Sequence, residues 1–487
     1  MAAIMIQGTS SDAGKSLVAA GLCRAFTNRG RTVRPFKPQN MSNNAAVTPC
    51  GGEIGRAQAL QARACRVTPD IDMNPILLKP QTDTGSQLIV RGKVDRNTTA
   101  RDYYKLKNEL LPVAIDSFDR LEGNADLVVV EGAGSPAEVN LRQGDIANMG
   151  FAVPTQTPVI LVADIERGGV IANLVGTWHL LDAEERAHTA GYIINKFRGD
   201  PSLFDDGLKR ISQETGLRSF GVLPWFDDAR HLPAEDALAL GRYGETRGGN
   251  QIRIAIPVFS RVANFDDLDP LAAEADVSLV MVQPGEAIPS DADLILLTGS
   301  KSTRGDLSLL YEQGWDIDIR AHVRRGKPVL GLCAGYQMLG RNIADPDGIE
   351  SAPGESDGLG LLDVETRLAG QKTLRSVGAT DVRSGLSVSG YEMHIGDTDG
   401  PDTARPMLIV GERADGALSP DGLVSGCYLH GLFADDTFRD DFLERLKSRE
   451  PSRVRYEQQV EQTLDALAEH CERHIDLDGI SKVAGVA

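Results

Sequence analysis

No apolar run in this chain approaches the roughly 18 residues that a membrane-spanning helix needs, so a membrane partner is not expected. Cysteine is sparse, with six widely scattered residues in 487. That scatter offers neither a disulfide framework nor a CxxC zinc spacing, and a reducing cytoplasm is the simplest setting. Basic charge is also short. Against 69 Asp and Glu there are 51 Lys and Arg, a formal net charge of −18. Nucleic acid and anionic membrane are thereby disfavoured as main partners, and an anionic substrate must meet local positive charge. The N-terminal MAAIMIQGTSSD has no basic n-region and leads straight into a motif, so a signal peptide is not expected. There is no internal repeat and no low-complexity tract. What remains is an ordinary globular composition, 41% hydrophobic and 25% charged, in a chain long enough for two or three cores.

The most informative stretch is GLCAGYQMLG, Gly331 to Gly340. An apolar KPVL run precedes it and an apolar helical pattern follows, so Cys333 falls between a strand and a helix. Gly331 and Gly335 make this GxCxG, the recipe of a nucleophile elbow. A helix N-terminus behind the thiol favours the thiolate. A lone cysteine in this setting is commonly an inert core thiol. The late GCYLHGLF, which places His430 just past a strand, supplies the partner that argues for a nucleophile. The other late histidine, His394 in YEMHIGDT, reads as a strand residue or a substrate contact.

At the other end, Ala3 to Gly8 reads as a strand, and GTSSDAGKS leads into an apolar-periodic helix from Leu17. Gly8, Thr9, Ser10, Ser11, Asp12, Ala13, Gly14, Lys15 and Ser16 then form a phosphate-binding loop. Backbone N–H groups wrap phosphate, Lys15 neutralises it and the Ser16 hydroxyl suits Mg²⁺. Five residues separate Gly8 from Gly14, one more than in GxxxxGK[ST]. The strand DLVVVEGAG ends in Glu131, where a Mg²⁺ ligand is expected beside such a loop. Glu53, at the head of a helix expected over Glu53 to Cys65, is a second candidate ligand. FKPQNMSNN offers Lys37, Gln39, Asn40, Asn43 and Asn44 to a polar ligand, and Lys79, Arg91 and Lys93 are candidate receivers of carboxylates. Further strand–loop units fall at Thr157 to Gly169 and Ala190 to Asp200, with a last strand at Arg218 to Trp225. A polar, Gly-rich stretch over 226–250 then reads as a linker, and Ile252 to Val258 opens a second α/β unit.

The longer loop resembles the dethiobiotin synthetase branch of P-loop enzymes, in which ATP phosphorylates a carboxylate. Related P-loop enzymes imply that Asn195 reads adenine. GLCAGYQMLG with GCYLHGLF resembles the class I glutamine amidotransferase domain, which takes ammonia from glutamine. That resemblance implies an oxyanion hole from the backbone N–H groups near Ser300 and at Ala334. In this domain class the catalytic histidine is usually followed two places later by an orienting glutamate; here that place is Leu432, so the third catalytic member is open.

GTSSDAGKS, FKPQNMSNN, EGAGSPAEVNL, ADIERGG, INKFRGD, GSKST, GLCAGYQMLG and GCYLHGLF stand in this order. In that order they resemble the cobyric acid synthase family. The resemblance implies an α/β fold, a P-loop parallel-sheet domain over 1–225 and an amidotransferase domain over 251–447, with a helical tail over 448–487. It also implies ATP- and glutamine-dependent amidation of the b, d, e and g carboxylates of a corrin a,c-diamide, with Mg²⁺ as cofactor. Two alternatives stand beside it. One is the related synthase that makes the a,c-diamide, against which FKPQNMSNN and YEMHIGDT argue. The other is a P-loop switch ATPase with a degenerate glutaminase, whose usual KGGxGK is QGTSSDAGK here.

Overall fold

The computed structural model describes residues 2–234, 251–350, 352–370 and 372–486. Of the expected linker, a 3-10 turn at Asp227–His231 is described, and 235–250 lie outside the described residues.

Two parallel sheets carry the molecule. The first runs in the order Arg218–Pro224, Thr189–Phe197, Val159–Asp164, Ala3–Gly8, Leu127–Glu131, Val33–Phe36. Its inner strands are buried throughout and mostly apolar, as in parallel sheets covered on both faces, with Gln7, Glu131 and Asp164 at their C-terminal ends. The second runs Val277–Val282, Ile252–Pro257, Leu294–Leu297, Val329–Leu332, Val424–Cys427, and closes with the antiparallel Ala417–Leu418. The strand ends at Gly8, Glu131 and Asn195 share the C-terminal edge of the first sheet, where α/β sites lie.

Two smaller, mainly antiparallel sheets accompany them. One contains Ile76–Pro80, Gly85–Val90 and Lys93–Thr99; the other contains Thr373–Asp381, Ser387–His394 and Leu429–His430. Ala45, Leu77 and Ile89 from the first half share a small apolar cluster with Met393 from the second.

Three expected elements differ. Glu53 is not helical: Glu53–Gly55 is a short strand paired with Ala45–Val47, and the helix is Arg56–Ala64. The apolar-periodic segment Arg304 to Arg325, which the sequence reads as one long amphipathic stretch before the Cys333 elbow, is two helices, Thr303–Glu312 and Trp315–Arg324, broken at Gly314, which is left-handed at φ 71°. The third is the C-terminal segment, which is no tail. Helix Tyr456–His474 returns to the first half, where Val460, Leu464, Leu467 and Cys471 join its core. A Cβ on Gly21 would lie 2.5 Å from the Cys471 sulfur, so the two helices touch nearly backbone to side chain. Arg24, 1% exposed, reaches Glu461 at 2.6 Å and Asp465 at 3.1 Å on that helix.

Candidate active site

Cys333 ends the central strand Val329–Leu332 at φ 54°, a left-handed conformation that side chains other than glycine's rarely adopt. The strain is held from both sides. Its N–H donates to Cys427 O at 2.9 Å, and the flanking glycines leave no room for a side chain. A Cβ on Gly331 would lie 2.5 Å from the Gly335 backbone, and one on Gly335 would lie 2.1 Å from Leu297 O. The elbow thus presents the thiol at the start of helix Ala334–Leu339.

His430, fully buried, lines the same cleft as Cys333; its Nε2 lies 3.4 Å from the Asn264 amide nitrogen, and the Cys333 thiol donates to Met393 O at 3.5 Å. The His430 Nδ1 lies 2.7 Å from Asp267 Oδ2, and the other carboxylate oxygen accepts from Gly431 N–H at 2.6 Å. The group orienting the histidine is therefore Asp267, on the short turn Phe265–Leu268. Leu432, two residues after His430, is buried in apolar packing. The acidic NFDDLD run just past an opening strand was the available signal for Asp267. An acidic turn at a helix start also reads as a cap, so the run by itself does not single out Asp267. Burial by itself lowers the His430 pKa, but the Asp267 carboxylate and the Cys333 contact outweigh it and raise it to about 10. The imidazolium is thus favoured beside the sulfur.

Ser300 and Ala334 line the same cleft of about 470 Å³ as Cys333 and His430. Around Ser300 the chain pairs through Ala263 N to Gly299 O and Lys301 N to Arg261 O, which turns the Ser300 N–H away from that neighbour. Its side chain is committed to Asp306 Oδ2 at 2.5 Å. His394 also lines the cleft, stacked on Tyr428 at 3.7 Å; burial lowers its pKa to about 4, so it is neutral.

In the first half, the loop from Gly8 to Ser16 wraps as expected between strand Ala3–Gly8 and helix Lys15–Asn28. Thr9 N–H donates to Val162 O at 3.0 Å, Gly14 is left-handed, and Ser11 and Asp12 face solvent. Lys15 Nζ bonds the carbonyls of Ser10 at 3.2 Å and Gly134 at 3.1 Å, curling along the loop. Asn195 Nδ2 donates to Ala13 O at 2.9 Å, so that amide braces the loop from below. Ser16 Oγ donates to Glu131 Oε1 at 2.7 Å, and Lys37 Nζ reaches the same oxygen at 2.9 Å. Gln61 Nε2 holds the other oxygen at 2.5 Å. Burial alone would raise the Glu131 pKa; Lys37 and these donors keep it lowered, so the carboxylate is charged.

Three expected roles change. Glu53 is fully buried between Lys79 and Lys372, each at 2.5 Å, and two lysine amines, one on each carboxylate oxygen, leave no place for Mg²⁺. Burial would raise its pKa, but those lysines lower it to about 2. Lys79 is accordingly spent inside the molecule. Arg91 is spent as well, on Asp116 and on Ser117 Oγ at 3.0 Å. Within FKPQNMSNN, Asn40 Nδ2 bonds Gln58 at 2.9 Å and Asn44 Nδ2 bonds Ala234 O at 2.7 Å. Asn43 keeps a buried Oδ1 without a partner, and Gln39 accepts from the Tyr103 hydroxyl at 2.6 Å. Gln39 also lines a cleft of about 550 Å³ with Lys107, Ser135, Arg142 and Asn148. Ala133 and Ser135 in its wall flank Gly134, whose carbonyl Lys15 holds, so this cleft adjoins the phosphate loop. Lys107, Arg142 and Asn148 are separated in sequence and carry no motif, so nothing in the chain marked them.

Residues 4–239 match the CobQ/CobB/MinD/ParA nucleotide binding domain, and 253–438 match the CobB/CobQ-like glutamine amidotransferase domain. A cobyric acid synthase of Jannaschia sp. (strain CCS1) is 58% identical over 481 residues, 99% of each chain. This chain belongs to the cobyric acid synthase family. A second synthase of the family, from Bradyrhizobium diazoefficiens, is 58% identical over 99% of both chains, and one from Rhodobacter capsulatus is 59% identical over 99% of this chain and 100% of its own. The two matched regions, nucleotide-binding and amidotransferase, carry the two parallel sheets described above.

Proposed function

We propose that the chain is a glutamine-hydrolysing ligase that converts a corrin a,c-diamide to cobyric acid, amidating the b, d, e and g carboxylates with ATP. The observation that carries this is Cys333 facing one cleft with His430, whose Nδ1 is held by Asp267, in one chain with an intact phosphate loop. A switch ATPase has no use for these three residues.

In the glutaminase half, Cys333 attacks the glutamine amide carbon, forming the C–S bond. The N–H groups of Ser300 and Ala334 hold the oxyanion, and His430 delivers the proton to the leaving ammonia. Asp267 keeps the imidazole oriented. Water then attacks the thioester with His430 as base, releasing glutamate and the thiolate.

In the nucleotide half, backbone N–H groups of Gly8 to Ser16 and Lys15 hold the ATP phosphates. Ser16 and Glu131 place two oxygens side by side at the loop, which suits a hard cation whose remaining ligands are phosphate and water. Ser16 and Glu131 would hold a Mg²⁺ ion there, and it would supply charge neutralisation for the phosphates. Lys37 shares the Glu131 oxygen and is placed to shift onto phosphate. The cleft at Gln39 takes one carboxylate arm, with Lys107 and Asn148 as polar contacts and Arg142, paired with Glu185 at 2.7 Å, in its wall. Phosphorylation of that arm makes an acyl phosphate, and ammonia displaces phosphate from it. The site lies in cytoplasmic metabolism, and each arm is presented in turn.

Mass spectrometry over a time course with Mg-ATP, glutamine and a panel of corrinoid acids tests this. Stepwise gain of four amides on the a,c-diamide is expected, with intermediates free in solution. Preference for the undiamidated acid, with amidation stopping at two, would assign the chain to the a,c-diamide reaction instead.

A further inference from the structure

Arg56 belongs to the nucleotide half, yet its guanidinium points into the glutaminase. It lies 2.8 Å from Asp266, the neighbour of Asp267, and 2.7 Å from the Tyr391 hydroxyl. The Tyr391 ring in turn stacks on His430, with centroids 5.2 Å apart and planes at 18°, and the two residues are strand partners. Tyr391 O–H also reaches Asp266, at 3.3 Å. The cation therefore braces the histidine from behind and the Asp267 turn from the side. Neither Asp266 nor Tyr391 would hold this arrangement alone: the carboxylate is largely buried, and without the arginine it would be an unpaired charge beside Asp267.

Arg56 opens helix Arg56–Ala64, and two and five residues further on the same helix carries Gln58 and Gln61. Gln61 Nε2 holds Glu131 at 2.5 Å and Gln58 lies 3.4 Å from the same oxygen. A nine-residue helix thus touches the glutaminase triad's support at one end and the phosphate-site carboxylate at the other.

We propose that Arg56 is a positioning residue for glutamine hydrolysis, supplied across the interface by the nucleotide half, and that helix Arg56–Ala64 ties the His430 geometry to the state of Glu131. This rests on the assignment of Cys333, His430 and Asp267 as the glutaminase. A rearrangement at Glu131 when nucleotide and cation bind moves Gln61 and Gln58, and through the helix it moves the brace behind His430. Glutamine is then hydrolysed fastest when an acyl phosphate is being made, which spares it from waste.

The test is steady-state glutamine hydrolysis by the full chain carrying Arg56→Gln or Arg56→Lys, with and without Mg-ATP and corrinoid. For Arg56→Gln a fall in kcat of about tenfold or more is expected, the scale for a catalytic group displaced without being removed. KM for glutamine should stay within about twofold, and ammonium-supported synthesis within about threefold. Arg56→Lys keeps the charge without the planar fork and should recover part of the rate. Any stimulation by Mg-ATP in the parent should be weakened in both variants. Unchanged kcat and stimulation, or equal losses with ammonium and with glutamine, would overturn the proposal. If Arg56→Gln does not fold, Arg56→Lys decides by the same criteria. Cys333→Ala in parallel separates the two readings: hydrolysis surviving there removes the glutaminase assignment itself, whereas an inactive Cys333→Ala beside a normal Arg56→Gln removes only the role of Arg56.

Discussion

The two sites in this molecule are built on opposite plans. In the glutaminase, every group that does covalent work is a side chain already in place. Cys333, the proposed nucleophile, is held at a strained φ of 54°, and His430, its proposed base, is held to Asp267 at 2.7 Å. At the phosphate site the chain provides backbone N–H groups and a few charges, and those charges are occupied with one another. Lys15 curls onto carbonyls, and Lys37 sits on Glu131. The difference follows from the chemistry. Acyl transfer needs a nucleophile and a base at fixed distance before the substrate arrives. Phosphoryl transfer needs positioning and charge, much of which the nucleotide and its cation bring.

The sharpest way to break this comparison is Cys333→Ala. Glutamine-dependent synthesis should vanish while high ammonium still supports it, because the phosphate site does not use the thiol. Loss of both in a folded variant would mean the sites are not separable. Next in size is Lys15→Ala, expected to remove synthesis with either nitrogen source by about a hundredfold or more, the usual cost of a lost phosphate clamp. Alkylation of Cys333 by a glutamine-like reagent should continue, and its loss would show that the glutaminase is not preformed.

Asp267→Asn comes third, with about ten- to a hundredfold off the glutaminase kcat, at the low end for an acid–base device whose base survives. The direction of its pH effect is fixed. Burial lowers the His430 pKa, and Asp267, Cys333 and the more distant Asp266 face it with the opposite sign, while Arg56, Tyr391 and neutral His394 complete its surroundings. Removing the Asp267 charge lowers the pKa from about 10, so the imidazolium that protonates ammonia is lost at lower pH. The alkaline limb of the profile should move down, as a pH–rate series would show. Leu432→Glu is expected to bring no rate gain, since Asp267 already holds Nδ1. It should instead destabilise by about 3 kcal/mol or more, because it buries a carboxylate without a partner; denaturant unfolding reads this directly. The smallest effect concerns the scaffold. Gly21→Ala pushes a methyl against the Cys471 sulfur and should cost about 1–3 kcal/mol by overpacking, with both activities retained per folded molecule.

Local pattern was enough to locate both sites. The elbow is visible because a sharp strand-to-helix turn at a nucleophile leaves no choice but glycine on either side, and Gly331 and Gly335 have no room for a Cβ. The phosphate loop is visible for a related reason: a strand, a Gly/Ser loop and a helix in sequence are also adjacent in space. Glu131, at the end of its strand, follows from the same local geometry. What tertiary structure decided is everything that joins residues far apart in the chain. Asp267 meets His430 across 163 positions, and its acidic turn looked like a helix start. Glu53 looked like a metal ligand until the fold brought Lys79 and Lys372 onto it. Helix Tyr456–His474 looked like a terminal appendage, because an amphipathic stripe shows that a helix will be covered without saying by what. The answer was the core of the first domain, some 440 residues back, where Arg24 waits for Glu461 and Gly21 makes room for Cys471. Periodicity and motif spacing encode what neighbours in sequence must do; partners chosen from the rest of the chain are set by packing, and no local pattern records them.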